Sequence, residues 1–178
     1  MDGYILGLGE KAKEASKKLA ILDTNTKNAV LTAVSKALIE KKDLIKAENK
    51  KDLEYGREKG ISSALLDRLE LTDSRIEGMA KSLIEIANFK DPIGEILEGW
   101  KHPDGMQILK QRVPLGVIGM IFESRPNVTI DSAGLALKSS NAIILRGGSD
   151  AINSNKVLKN IFMEEGKKHG LPDGAVQL

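Results

Sequence analysis

The chain has 178 residues, enough for a domain with a real core, and 27 Lys and Arg against 25 Asp and Glu, a formal net charge of +2. That balance provides no basic field for nucleic acid, and an aromatic content of 3% leaves little for base stacking. Cysteine is absent, which excludes a disulfide framework, a Cys-based metal site and any mechanism that takes a thiol from this chain. The opening MDGYILGLGEKAKEASKK lacks the basic and long apolar regions of a secretory signal. The longest apolar run, near Val117 to Phe122, is too short to cross a bilayer. A soluble, cytoplasmic protein without a membrane partner is therefore expected.

Residues 1–93 read as a helical segment. Thr24 to Glu40 places Val30, Ala33, Val34, Ala37 and Leu38 on one face, the spacing of an amphipathic helix. Asp43 to Glu58 predicts a second helix, ended by Gly56 and Gly60. Ser62 or Ser63 can cap a short helix through Leu69, and Thr72 another that carries Ile76, Met79, Ala80, Leu83, Ile84 and Ala87. These helices predict a structural layer whose Lys and Glu runs face solvent.

Asp91-Pro92-Ile93-Gly94 breaks the helices. Ile96 to Lys101 and Met106 to Val113 then flank His102-Pro103-Asp104-Gly105. In that turn Pro sets φ, Asp bonds locally and Gly accepts positive φ. Residues 94–113 thus predict a β-hairpin with Trp100 as a packing residue. A two-stranded ribbon is marginal alone in water, so it must pack on the body or on another subunit.

Residues 114–178 predict the first part of an α/β domain. Val117 to Phe122 reads as a buried strand, and Pro126 opens a helix to about Lys138. Ala142 to Arg146 is the next strand, followed by a Gly turn and a helix from Ala151 to about His169, stopped by Gly170 and Pro172. Ala175 to Leu178 begins a third strand, so the chain reads as a piece of something longer. The fold class is α/β: a helical layer and a hairpin leading into a Rossmann-like parallel sheet, incomplete at the C-terminus.

This βαβα order delivers two strand-to-helix turns to one edge of the sheet, where nucleotides bind. The first turn offers Glu123, Ser124, Arg125, Pro126 and Asn127; the second offers Arg146, Gly147, Gly148, Ser149 and Asp150. Unpartnered amides and the helix dipole favour an anion at each. The planar fork of Arg suits phosphate, and glycines let the backbone approach a ligand. The ligand so favoured carries phosphate, most naturally a dinucleotide. Neither turn is G-x-G-x-x-G or a Walker loop, so a second reading stands: Arg125 and Arg146 salt-bridged at the surface, with glycines that only close turns. Asn127, Thr129 and Ser132 read as easily as N-cap and helix-surface residues as they do as ligand groups, while Asn153 and Asn155 are expected to face solvent or a neighbouring loop. His102 and His169 have no second His, no carboxylate partner at triad spacing and no nucleophile beside them, so neither is expected to be catalytic, and no metal site is expected.

The run PLGVIGMIFESRPNVTIDSAGLALKSSNAIILRGGSDAINSN resembles the γ-glutamyl phosphate reductase (glutamate-5-semialdehyde dehydrogenase) family of the aldehyde dehydrogenase superfamily. ESRPNVT and LRGGSDAINSN carry the resemblance to the family. Gly170 to Val176 matches the wider superfamily's GLP-x-G-x-V. The resemblance covers essentially the whole chain, as the family's N-terminal portion.

What it implies is an aldehyde dehydrogenase-type sheet and an NADPH-dependent reduction of L-glutamyl 5-phosphate to L-glutamate 5-semialdehyde and phosphate in proline biosynthesis. The superfamily's chemistry passes through a cysteine thiolate. This chain has none, so no catalytic residue is assigned in it and it is expected to be inactive alone. The implied NADP-binding residues are Glu123, Ser124, Arg125, Pro126, Arg146, Gly147, Gly148 and Ser149. NAD-using relatives carry a Lys at the position of Arg146 and a Glu at that of Ser149. Losing that carboxylate removes repulsion against a 2′-phosphate, with which Arg146 can pair. Ser124 stands where relatives hold an Asn that donates to the developing oxyanion, and Ser is a shorter donor. Ser124, Arg125 and Asn127 meet either the substrate phosphate or the cofactor pyrophosphate. The complete protein is expected to be a homo-oligomer. Two other readings remain: another acylating aldehyde dehydrogenase, or a non-catalytic fragment that binds a nucleotide or pairs with a subunit through its hairpin.

Overall fold

The computed structural model describes residues 2–178. Five helices come first: α1 (Asp2–Leu19), α2 (Thr24–Glu40), α3 (Lys42–Glu58), α4 (Ser63–Leu69) and α5 (Asp73–Asn88). The hairpin strands β1 (Ile96–Lys101) and β2 (Gln107–Gln111) follow. Then come β3 (Val117–Ile121), α6 (Asn127–Lys138), β4 (Ala142–Arg146), α7 (Ile152–Lys168) and β5 (Val176–Gln177).

Local chemistry sets the helix starts. Asp23 caps α2 by accepting from the amide of Thr26 at 2.9 Å. The Thr72 hydroxyl accepts from the amide of Arg75 at 3.3 Å, as the sequence predicts for α5. Ser62 precedes α4 but makes no side-chain cap bond. The apolar faces of α2 and α5 meet those of α6 and α7 in one core containing Val30, Leu31, Leu38, Ile76, Leu83, Ile130, Leu137, Leu158 and Phe162. Each such fully buried side chain stabilises by roughly 1.5–3 kcal/mol relative to exposure. Buried Lys27 crosses this layer to Asp91 at 2.8 Å and ties α2 to the segment that leads into the hairpin.

The sheet is parallel, in the order β3-β4-β5. Right-handed crossovers put α6 and α7 on one face. Helix α1 touches all three strands and makes no substantial contact with α6 or α7, so it covers the other face. The expectation of a buried first strand is corrected here. β3 is an edge strand with β4 as its one neighbour, and its alternate residues Val117, Gly119 and Ile121 are exposed, Ile121 at 84%. Its composition is that of a core strand, but alternation sends every second side chain away from α6.

The hairpin forms where the sequence places it, with Trp100 opposite Ile108 and Gly105 at φ +89° in the turn. Its base is held by Glu95, which pairs with Lys90 at 2.9 Å and Arg112 at 3.1 Å. Beyond the base, β1 and β2 contact each other and no other element substantially. Trp100 is therefore half-exposed and does not pack on the body.

Candidate functional site

Strands β3 and β4 end side by side: Ile121 is in register with Arg146, and the Phe122 amide donates to the Arg146 carbonyl at 3.0 Å. Both turns therefore leave the sheet at one level. They lock together through Ser124, whose hydroxyl donates to the Asp150 carboxylate at 3.2 Å. A Cβ at Gly148 would stand 2.7 Å from Ser124 Oγ, so glycine is what lets the turns approach. One at Gly147 would stand 2.3 Å from Asn155 Nδ2 and 3.0 Å from the Phe122 ring.

Asn155 is fully buried, and its Oδ1 accepts from the buried Thr129 hydroxyl at 3.0 Å. It is shut off from solvent, with its amide nitrogen against the Gly147 turn, the neighbouring loop. The first turn of α7 is tucked against α6, and the Asn–Thr pair bridges the two helices. Asn153 is likewise engaged, donating through its side chain to Asp52 at 2.8 Å.

The backbone amides that would cradle an anion are largely taken inside the chain. At the start of α7, buried Asp52 of α3 accepts from the amides of Asn153 and Ser154 at 3.1 and 2.7 Å. A carboxylate of the protein itself thus sits at the positive end of the helix. At the first turn, Arg125 donates to the Glu123 carbonyl, Val128 to that of Arg125 and Thr129 to that of Pro126. What faces outward is side chains. Glu123, Arg125, Arg146 and Ser149 are exposed, Ser124 and Gly148 are half-buried, and Pro126 and Gly147 are buried. The Arg146 guanidinium donates to the Gly147 carbonyl at 2.6 Å. Among the described residues the arginine ion pairs are those of Arg75 with Asp67 and Arg112 with Glu95. Arg125 and Arg146 are therefore not salt-bridged at the surface.

The structure divides the expected residues into two groups. Arg146, Gly147, Gly148, Ser149 and Ser124 gather at the sheet edge. Arg125 and Asn127 instead line a cavity of about 500 Å³ between α4, α5 and the start of α6. Its other walls are Arg68, Glu70, Leu71, Arg75, Gly78, Met79, Ser82 and Asp131. Of these the sequence marks only Met79, as a core residue; Glu70 and Leu71 lie between α4 and α5, and the rest lie on helices whose polar faces read as solvated. The available signal was the stripe Arg75, Gly78, Met79, Ser82 at helical spacing, with a glycine where a solvated face needs none.

No family model matches the chain. It is 56% identical over 168 residues to a γ-glutamyl phosphate reductase of Halothermothrix orenii, covering 94% of this chain and 40% of that protein. With the same enzyme of Clostridium novyi the identity is 50% over 178 residues, 100% of this chain and 43% of that one. A crystal structure of γ-glutamyl phosphate reductase from Thermotoga maritima superposes with a TM-score of 0.94 at 42% identity, covering 97% of this chain and 42% of that one. The chain belongs to the γ-glutamyl phosphate reductase family. It corresponds to an N-terminal portion, about two fifths of the length of the curated relatives it matches. An aldehyde dehydrogenase of Listeria monocytogenes, at 18% identity and a TM-score of 0.74, shares the fold of this reductase segment.

Among the described residues, no group of three or more His, Asp and Glu could hold a metal ion, and no helix is long and apolar enough to cross a membrane.

Proposed function

We propose that the protein to which this segment belongs reduces L-glutamyl 5-phosphate with NADPH to L-glutamate 5-semialdehyde and phosphate, a step of proline biosynthesis, and that this segment supplies the cofactor's side of the cleft. The observation that carries the reading is identity of 50–56% to γ-glutamyl phosphate reductases over nearly the whole chain, with both turns at one sheet edge.

The second turn fits a nicotinamide dinucleotide bearing a 2′-phosphate. Arg146 is exposed and without an ion pair, and Ser149 brings no carboxylate to repel a phosphate beside it. Gly147 and Gly148 let the second turn pack closely, Gly147 against Asn155 and Phe122 and Gly148 against Ser124 of the first turn. When bound, the cofactor supplies the hydride. In this segment Arg146 would pair with the 2′-phosphate. Ser124, held by Asp150, would offer its hydroxyl near the place where the two turns meet. The segment contributes no thiol, so alone it is inactive in the reduction.

The hairpin exposes Ile96, Leu97, Trp100 and Leu109 and is not covered by the body. An apolar ribbon of this kind fits a second copy of the protein, which supports a homo-oligomer. A cytoplasmic location goes with the reading.

The test is a substrate panel on the protein that joins this segment to a cysteine-bearing continuation. It is run in reverse with L-glutamate 5-semialdehyde, phosphate and NADP+. Phosphate-dependent formation of NADPH is expected; turnover of other aldehydes only would refute the reading.

A further inference from the structure

The cavity between α4, α5 and α6 is not lined by any residue of the second turn. It reaches the first turn through Arg125 and Asn127. Its volume, about 500 Å³, is that of a small-molecule site. Its charges are arranged asymmetrically. Arg68 and Arg125 stand in its wall without an acidic partner, since the arginine ion pairs among the described residues are those of Arg75 and Arg112. Arg75 is fixed, donating to the Glu70 carbonyl at 2.9 Å and to the Asp67 carboxylate at 3.1 Å.

Two acidic residues also stand in the wall, Glu70 and Asp131, and the carboxylate of Asp131 is held in place. Asp131 accepts from Ser82 Oγ at 3.0 Å on one oxygen and from Asn127 Nδ2 at 3.2 Å on the other. An ionised carboxylate has about four acceptor sites, so a further donor can be taken. Two unpaired guanidinium groups and a held carboxylate in one small cavity match a ligand that carries both an anion and an ammonium group.

We propose that this cavity binds the amino-acid end of the substrate. The α-carboxylate pairs with Arg125 and Arg68, and the α-ammonium group with Asp131. The acyl end is left toward Ser124, which adjoins Arg125 in sequence and meets the second turn through Asp150. The first turn is then a partition: its arginine reads the amino acid, and its serine faces the cofactor's side. The proposal rests on the reading above that the substrate is an activated amino acid. It assigns Arg125 and Asn127 to the substrate and away from the cofactor pyrophosphate.

Calorimetric titration of the chain with L-glutamate, with glutarate (the same diacid without the amine) and separately with NADP+ tests it. L-Glutamate is expected to bind about tenfold or more tighter than glutarate, the worth of one charge-assisted hydrogen bond. Arg125→Gln and, independently, Arg68→Gln should each weaken L-glutamate about tenfold while leaving NADP+ within about twofold. Asp131→Asn should bring L-glutamate down to the level of glutarate. The proposal is overturned if the wild-type chain binds no L-glutamate, if none of the three variants changes its affinity, or if Arg125→Gln weakens NADP+ in place of L-glutamate. L-Glutamate binding with no affinity for NADP+ would count against the cofactor assignment of the second turn and leave the cavity assignment standing.

Discussion

Asp52 accepts both the backbone amide and the hydroxyl of Ser154, at 2.7 and 2.6 Å, from a helix about a hundred residues earlier in the chain. The carboxylate is buried and also takes the amide and side chain of Asn153. It therefore acts as the N-cap of α7 from outside and fixes α3 against the domain that carries the site. Asp52→Ala should cost about 2 kcal/mol or more, because it strands buried donors as well as removing a cap. Asp52→Asn, which keeps one acceptor oxygen, should cost less. Urea unfolding of both variants checks this; equal losses would mean that the charge carries the whole effect and that the shape and oxygen kept by Asn add nothing.

That contact shows where legibility in the sequence ended. Thr24–Glu40 was readable from its apolar spacing, and Asp73–Asn88 from its apolar spacing and the capping Thr72, because these are local signals. The hairpin turn and both strand-to-helix turns were readable for the same reason, in Gly and Pro chemistry. Asp52 carries no such signal: its partners lie on another helix, and only the fold brings them together. The same holds for Arg68, Ser82 and Asp131, which meet Arg125 across three helices. Ile121 misled in the opposite sense. Its residue type suits a core strand, and nothing local says that β3 lies at an edge. Asn155 was half legible: it does meet a neighbouring loop, the Gly147 turn, but α6 shuts it off from the solvent that a polar residue in a first helical turn usually meets.

The close approach of the turns depends on glycine. In Gly148→Ala the added Cβ would stand 2.7 Å from Ser124 Oγ, so the Ser124–Asp150 bond must break or the turns must part. In Gly147→Ala it meets the buried Asn155 amide, which has nowhere to move. Gly147→Ala should destabilise by about 1–3 kcal/mol, the cost of overpacking. Gly148→Ala should cost less in stability but weaken nucleotide binding. Thermal melting paired with NADP+ titration separates the two effects; indifference of both properties to either change would show that the turns have slack.

Arg146 and Ser149 provide the test of cofactor choice. Arg146→Ala in the complete protein should weaken NADP+ about tenfold or more, the worth of a charged hydrogen-bonded pair, while NAD+ changes little. Ser149→Glu should act in the same direction by placing a carboxylate beside the 2′-phosphate. Affinities for both cofactors are measured for each variant. Equal loss for NADP+ and NAD+ in Arg146→Ala would mean that Arg146 does not read the 2′-phosphate.

Asp91 ties acid stability to the join between helices and hairpin. Burial pushes its carboxyl up, but hydrogen bonds from Lys27, the Ile93 amide and Thr24 outweigh burial and hold it below its ordinary value. A depressed folded pKa means stability that is present above the unfolded pKa, about 3.9, and lost as pH falls through the folded pKa. Asp91→Asn leaves Lys27 buried without its anion and should cost about 3 kcal/mol at neutral pH. The deficit should shrink as pH drops below about 4, where the wild-type carboxylate is protonated first in the unfolded chain and, at lower pH, in the folded one. Unfolding free energies of both proteins across that range decide it. A deficit independent of pH would place the loss in packing and not in the ion pair.

Trp100 tests what the hairpin is for. It lies in β1, opposite Ile108, half-exposed on a ribbon that the body does not cover. A residue that packed only within its own hairpin would affect local stability, whereas one that packs on a second copy would affect assembly. Trp100→Ser together with Leu109→Ser should leave the helical core intact, since neither side chain belongs to it. The pair should shift the complete protein toward monomer by about tenfold or more in dissociation constant, as expected when buried apolar anchors leave an interface. Sedimentation equilibrium gives the mass, and circular dichroism confirms the fold. An unchanged mass at every concentration would exclude the hairpin as the contact between copies.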